Sequence, residues 1–209
     1  MDLTIWKKGA QRFADAETWN INELKVELVR PDVESYNGTD FGAFVYVATE
    51  EKGQPMILHV EETVAEVLAA ADTTTYPNCL ISVAVEGFEG RADFLRGAAS
   101  QTWLLSPAVA MEIRVQPDGG GSDIMYSGRH RQRTVRIASP TALATIVTAF
   151  NAGENTFETL TVAKIDRKNL PTNQTISVNA RNIEKRIGSQ VWVKRNLLTA
   201  TRARVYEVA

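Results

Sequence analysis

The sequence is short of the residues from which crosslinks and most active sites are built. Its 209 residues include one cysteine, Cys79, and two histidines, His59 and His130. A lone cysteine closes no internal disulfide, and a four-cysteine zinc site is excluded. Cys79 stands in NCLISVAV, an apolar stretch that reads as a buried strand, where cysteine acts as a small hydrophobe. Long apolar runs are lacking too. None approaches the ~20 residues needed to span a bilayer, so no membrane is expected as a partner. The opening residues, MDLTIWKKGAQRF, show no apolar core followed by a small-residue cleavage site, so no secretory signal is expected. The sequons Asn37-Gly38-Thr39 and Asn173-Gln174-Thr175 are accordingly read as chance.

Catalytic patterns are equally scarce. Serine hydrolysis needs a nucleophile, a base and an orienting acid. No G-x-S-x-G occurs, and Ser127-Gly128 near His130 reads as loop. Gly119-Gly120-Gly121 is followed by no Gly-Lys-Ser/Thr, so it reads as a hairpin tip and not as a phosphate cradle. His59-Val60-Glu61 with Pro77-Asn78-Cys79 departs from the zinc-deaminase pattern where the metal would bind: a residue separates proline from cysteine, and no second cysteine follows. Glu50-Glu51 and Glu61-Glu62 fall at a turn and at a helix start, where the helix dipole stabilises negative charge. No enzymatic activity, cofactor or metal is expected.

What is present is ordinary globular material, 44% hydrophobic and 23% charged. The length suits one large domain or two small ones. Alternation and β-forming residues predict strands at NELKVELVR (22–30), FVYVA (44–48), MILHV (56–60), CLISVAVEGF (79–88), VAMEIRV (109–115), RTVRIA (133–138), LTVAKI (160–165), TISV (175–178), QVWVK (190–194) and RARVYEV (202–208). Thr63 and Glu66 have the spacing of a capping box, and Val64, Val67, Leu68 and Ala71 share one helical face behind them. Ser139-Pro140 predicts a second helix, with serine at the N-cap and proline in the first position, and an apolar face of Leu143, Ile146, Val147 and Phe150. NARNIEKRI (179–187) predicts a third, short helix capped by Asn179 and ended by Gly188.

The halves of the chain resemble each other. Residues 56–84 align without a gap at an offset of 79, so that Met56 meets Val135, Leu58 meets Ile137, Val64 meets Leu143, Val67 meets Ile146, Leu68 meets Val147, Ile81 meets Leu160 and Val83 meets Val162. This is either an internal duplication or the ordinary likeness of two ββαβ segments. The expected fold is α+β: predominantly antiparallel sheet with two or three short helices. The chain divides into an acidic β-rich half (1–104) with one ββαβ unit and a basic β-rich half (105–209) with the second and a C-terminal hairpin. The halves are either separate or one continuous domain.

Charge is distributed unevenly. Residues 1–100 carry 8 Lys+Arg and 17 Asp+Glu, and residues 101–209 carry 15 and 8. Such asymmetry bears on partners more than on fold. In GRHRQRTVRIASP (128–140), Arg129, Arg131 and Arg133 alternate onto the side of Val135 and Ile137, with Arg136 beside them. The corresponding strand of the first half has no arginine and ends in Glu61-Glu62. These six residues, with Lys194, Arg195, Arg202 and Arg204, are the candidate interface residues. No helix-turn-helix, RNP or zinc-finger pattern accompanies the basic half. Nucleic-acid association through that half, with Trp192 and Tyr206 as stacking platforms, is the alternative reading.

Compact, cysteine-poor, β-rich and with no secretory signal expected, the chain resembles the structural proteins of tailed bacteriophages in the character of its whole length. The resemblance implies a capsid-associated, neck or tail component of the virion, assembled in the host cytoplasm. Such a protein contacts copies of itself and other virion proteins and performs no catalysis. Complementary charge at opposite poles suits a head-to-tail contact, which closes into a ring or extends as a tube.

Overall fold

Alternation of apolar and polar residues shapes most of this chain. A computed structural model describes residues 1–6, 17–32, 42–48, 56–88, 100–116, 119–126, 135–152, 155–165, 174–194 and 203–209. Among them the fold is α+β, mostly antiparallel sheet with two α-helices. The strands fall into three consecutive stretches. The first holds β1 (Asp2–Ile5), β2 (Glu17–Asn20), β3 (Val26–Pro31), β4 (Ala43–Val47) and β5 (Met56–Val60), followed by α1 (Val64–Ala70). The second holds β6 (Ile81–Val85), β7 (Gly87–Phe88), β8 (Gln101–Leu105), β9 (Ala110–Val115), β10 (Ser122–Tyr126) and β11 (Val135–Ser139), followed by α2 (Leu143–Asn151). The third holds β12 (Phe157–Ile165), β13 (Gln174–Asn179), β14 (Ile183–Ile187), β15 (Gln190–Val193) and β16 (Arg204–Val208).

Spatial order is the same in each stretch. It runs β3-β4-β5-β1-β2 in the first and β14-β15-β16-β12-β13 in the third. In the second it runs β9-β10-β11-β7, and β6 then continues to β8. Only Glu86 separates β6 from β7, and its N–H donates to the Ala138 carbonyl at 2.8 Å, so the two act as one strand passing from a seven-stranded sheet to a nine-stranded one. The registers agree as well. Leu3, Val83 and Leu160 face Trp19, Trp103 and Ile176, and the next residues, Thr4, Ala84 and Thr161, face Thr18, Thr102 and Thr175. A one-residue bulge follows the first pair of β3, β9 and β14 in turn, at Glu27, Met111 and Glu184.

A single turn of 3-10 helix makes the corner between the second and third strand each time: Glu23–Lys25, Pro107–Val109 and Ala180–Asn182. The side chains of Asn22 and Asn179 accept from the N–H of Leu24 and Arg181, and Pro107 opens the middle corner. This accounts for one departure from the sequence-based expectation. Residues 179–187 form no α-helix; Asn179 caps the 3-10 turn, and 183–187 pair with β15 as β14. Gly188, at φ +55°, belongs to the β14–β15 hairpin turn, a conformation glycine enters at little cost. The second departure is at Ser139. It ends β11, paired with Ser122, and its Oγ accepts from the Thr141 N–H at 3.1 Å, so α2 begins only at Leu143 with Ala142 at its N-cap. In both places strand pairing overrides a local helix signal.

The capping box of α1 is formed: Glu66 N–H donates to Thr63 Oγ1 at 3.3 Å, and Thr63 N–H donates to Glu66 Oε2 at 2.8 Å. Val64 and Val67 then enter an apolar cluster with Leu3, Ile5, Val26, Val45, Leu58 and Val60. Leu143, Ile146 and Phe150 of α2 enter a second cluster around Trp103, Ile113, Ile124 and Ile137. The third stretch has its own cluster of Leu160, Val162, Ile176, Val178, Val191, Val193 and Tyr206. Each large side chain buried in this way stabilises by roughly 1.5–3 kcal/mol. Residues 104 and 105 both lie in β8, and the second cluster also takes in Leu28, Phe44 and Tyr46 of the first stretch and Phe157 of the third.

Candidate interaction surface

The stretches are joined edge to edge. β3 of the first pairs with β8 of the second, Leu28 facing Leu105 and Val29 facing Leu104, and the Ser106 N–H donates to the Glu27 carbonyl at 3.0 Å. β9 of the second pairs with β13 of the third, Glu112 facing Val178, Ile113 facing Ser177 and Arg114 facing Ile176. Counted from the 3-10 corners, Leu28 and Glu112 hold the same place, as do Leu105 and Val178. Both joints therefore have one register: the third strand of a stretch seals against the second strand of the stretch that follows.

The two joints differ in chemistry. At the second, the buried carboxylate of Glu112 accepts from Arg114 Nε, from the Tyr206 hydroxyl and, at 3.4 Å, from Arg204 Nη1. Arg114 Nη2 also donates to the Tyr206 hydroxyl at 3.2 Å. Burial, and next the Glu112 charge, push the Tyr206 phenol well above its usual range. Burial works against the charge of Arg114, but Glu112 and Tyr206 outweigh it and hold the guanidinium more firmly protonated. At the first joint the place of Glu112 is taken by Leu28 and that of Tyr206 by Ile137, within one apolar cluster.

Two edges are left over at the ends of this arrangement. Among the described residues β2 pairs only with β1, and β14 only with β15. All four residues of β2 are exposed, whereas their counterparts Trp103 and Leu104 in β8 and Ile176 and Ser177 in β13 are buried. Lys185, Arg186 and Ile187 of β14 are exposed likewise, while β3 and β9 are mostly buried at the same places. Trp19 is 38% exposed and Ile187 is 55% exposed. The counterparts of Trp19 in the sealed strands, Trp103 and Ile176, are 2% and 0% exposed.

The structure disperses the residues singled out from sequence. Arg129, Arg131, Arg133, Arg195 and Arg202 lie outside the described residues, as do Ser127 and His130. Arg136 is exposed and bridges Asp123 of its own hairpin at 3.3 Å. Arg204 is committed to the Glu112 cluster. Lys194 and Glu61 are exposed, and Glu62 accepts from the Thr4 N–H at 2.8 Å. Cys79 is half-buried, and burial, then the Glu23 charge, raise its thiol. His59 packs edge-on against Phe44 with ring centroids 4.4 Å apart, and burial holds its imidazole below the usual value. Among the described residues no group of three His, Cys, Asp or Glu is placed to hold a metal ion, and no helix is long and apolar enough to cross a membrane.

The edge strands themselves escaped the sequence reading, although a signal for them exists. ETWNIN (17–22), QTWLLS (101–106) and QTISVN (174–179) align without a gap, each running into a 3-10 corner. A glycine also precedes the fourth strand each time, at Gly42, Gly121 and Gly188. No protein-family model, no curated protein and no solved structure matches this chain.

Proposed function

We propose that the protein is a non-catalytic structural component that works by self-assembly, a tandem of three copies of one five-strand unit. The setting suggested by its resemblance is the virion of a tailed bacteriophage. There it contacts copies of itself and other virion proteins as a capsid-associated, neck or tail component assembled in the host cytoplasm. One observation carries the reading. The two sheets, which join the units through edge strands, end among the described residues in β2 and β14, edge strands with exposed apolar side chains. Such edges template pairing with another chain unless something covers them.

Protein rather than nucleic acid is favoured as the partner. Four of the five described arginines of the basic half meet carboxylates of their own chain: Arg114 and Arg204 on Glu112, Arg136 on Asp123, and Arg186 on Glu158. That leaves less charge for phosphates, whose binding rests on unengaged cations. Light scattering across a concentration series, with electron microscopy of the product, tests assembly. The expected result is a defined multiple of the 23.1 kDa chain, as a ring or a tube. A chain that stays monomeric at high concentration removes the proposal. Retention on DNA at low salt, fading steeply as salt rises, brings the alternative forward instead.

A further inference from the structure

Resting on the self-assembly reading, we infer that β14 of one copy pairs with β2 of the next, in the register that already joins the units within the chain. The two internal joints fix that register. Leu28 faces Leu105 where Glu112 faces Val178, and Val29 faces Leu104 where Ile113 faces Ser177. The corresponding places in β14 are Lys185 and Arg186, and in β2 and its extension they are Asn20 and Ile21. Lys185 therefore faces Ile21 of the next copy, Arg186 faces Asn20, and Ile187 faces Trp19, as Arg114 faces Ile176.

The directions of the backbone groups agree with this pairing. Ile21 and Met1 exchange both of their backbone hydrogen bonds, at 2.7 and 2.8 Å, so alternation turns the N–H and C=O of Asn20 away from β1 and toward the open edge. In β3 the Glu27 carbonyl receives the Ser106 N–H, which turns Val29, two residues on, toward the joint. Arg186 holds the place of Val29 in β14, so its groups face outward too. Asn20 and Arg186 then form a hydrogen-bonded pair, and Ile187 and Trp19 a non-hydrogen-bonded pair with close side chains. Pairing of this kind covers Trp19 and Ile187 together. It also brings Met56, 37% exposed, to the place from which Arg204 reaches Glu112 at the second internal joint. The joint uses different surfaces on its two sides, so it propagates head to tail and closes into a ring or continues as a filament.

Disulfide trapping tests the joint, with Trp19→Cys and Ile187→Cys introduced singly and together in a Cys79→Ser background. Opposed residues of an antiparallel pair lie about 4.5–5.5 Å apart at Cα, within disulfide reach. Mild oxidation of the double variant should give a ladder of covalent multimers on non-reducing gels. Each single variant alone should give none, and a mixture of the two singles should stop at the dimer. An Arg186→Pro variant removes the outward N–H without touching the β15 ladder, and should leave a folded protein at the mass of one chain. Crosslinking of either single variant alone overturns the joint in favour of a two-fold contact. A crosslinked monomer without a ladder overturns it in favour of closure within one chain. Assembly that persists in Arg186→Pro, with no ladder from the double variant, places the contact elsewhere and leaves the self-assembly reading standing. A parent protein that never assembles ends both.

Discussion

Glu112 provides the sharpest test of how the second and third units hold together. Its carboxylate is the shared acceptor for Arg114, Arg204 and the Tyr206 hydroxyl, so replacing it strands three polar groups at once. Removing one partner of a buried ion pair costs about 3–5 kcal/mol. The Arg114 and Arg204 side chains keep 19% and 22% of their surface, so water relieves part of the loss and the lower end applies. Glu112→Leu should therefore destabilise by about 3 kcal/mol, roughly two decades in the unfolding equilibrium constant. The first joint supplies the control, because Leu28 and Ile137 fill the equivalent places without polar groups. A quadruple variant, Glu112→Leu with Arg114→Met, Arg204→Met and Tyr206→Phe, should return to within about 1 kcal/mol of the native protein, since replacing a whole buried ionic set by apolar groups is often near neutral. Urea unfolding, followed by tryptophan fluorescence, measures both. A loss below about 0.5 kcal/mol for Glu112→Leu refutes the cluster as the tie between the units. A quadruple variant no better than the single refutes the argument from stranded partners.

Three further outcomes follow from the geometry. Gly121→Ala should destabilise by about 1–3 kcal/mol in urea, because the new Cβ overlaps the Ser139 carbonyl oxygen, which cannot rotate aside; an unchanged midpoint would show that β10 and β11 separate easily there. Glu23 is pushed up by burial, but backbone N–H groups of its own residue and Asp72, with the Met1 ammonium, overcome this and lower its pKa. Its stabilisation is present above the unfolded pKa and is lost as pH falls through the lower folded value, so Glu23→Gln should flatten the stability profile in the acid range, and parallel profiles for the two proteins would contradict it. The raised, half-buried Cys79 thiol should react with a disulfide reagent at neutral pH far more slowly in the native protein than in urea; equal rates would mean an open site.

Much of the fold is legible in the sequence because its signals are local. The Thr63–Glu66 capping box and the alternation in FVYVA and MILHV lead directly to α1 and the β4–β5 hairpin. The offset of 79 likewise aligns the starts of β5 and β11 and of α1 and α2. The five-strand recurrence is harder to see because no single offset carries it. ETWNIN lies 84 residues before QTWLLS, which lies 73 before QTISVN, since the loops between them differ in length. NARNIEKRI misleads because its spacing suits a helix, and only the partner strand β15 decides otherwise. The candidate site was legible in part. Arg204 does reach a carboxylate, but one in its own chain, and Glu112 alone in an apolar strand reads as a solvent-facing residue until its partners, some 90 positions away, are in place.

Charge on the two edges left unpaired among the described residues explains why they should meet each other and not themselves. β14 carries Lys185 and Arg186 beside Glu184, and β2 carries Glu17, with Asn20 bonded through its side chain to Asp2 of β1 at 2.6 Å. An antiparallel pair of two β14 strands centred on Arg186 sets arginine opposite arginine, and like charges directly opposite destabilise a sheet. Pairing β14 with β2 sets Arg186 opposite neutral Asn20 instead, one strand away from the Asp2 carboxylate. The acidic first unit and basic third unit extend the same preference over a longer range, where it raises the rate of encounter and suppresses the wrong orientation. Specificity is a difference between affinities, so a repulsive self-pairing serves as well as an attractive cross-pairing. The repeated backbone register provides the fit at the joint, and the uneven charge selects the head-to-tail version of it. Raising the salt concentration should therefore slow assembly while leaving the register of the joint unchanged, because screening acts on the charges and not on the backbone hydrogen bonds.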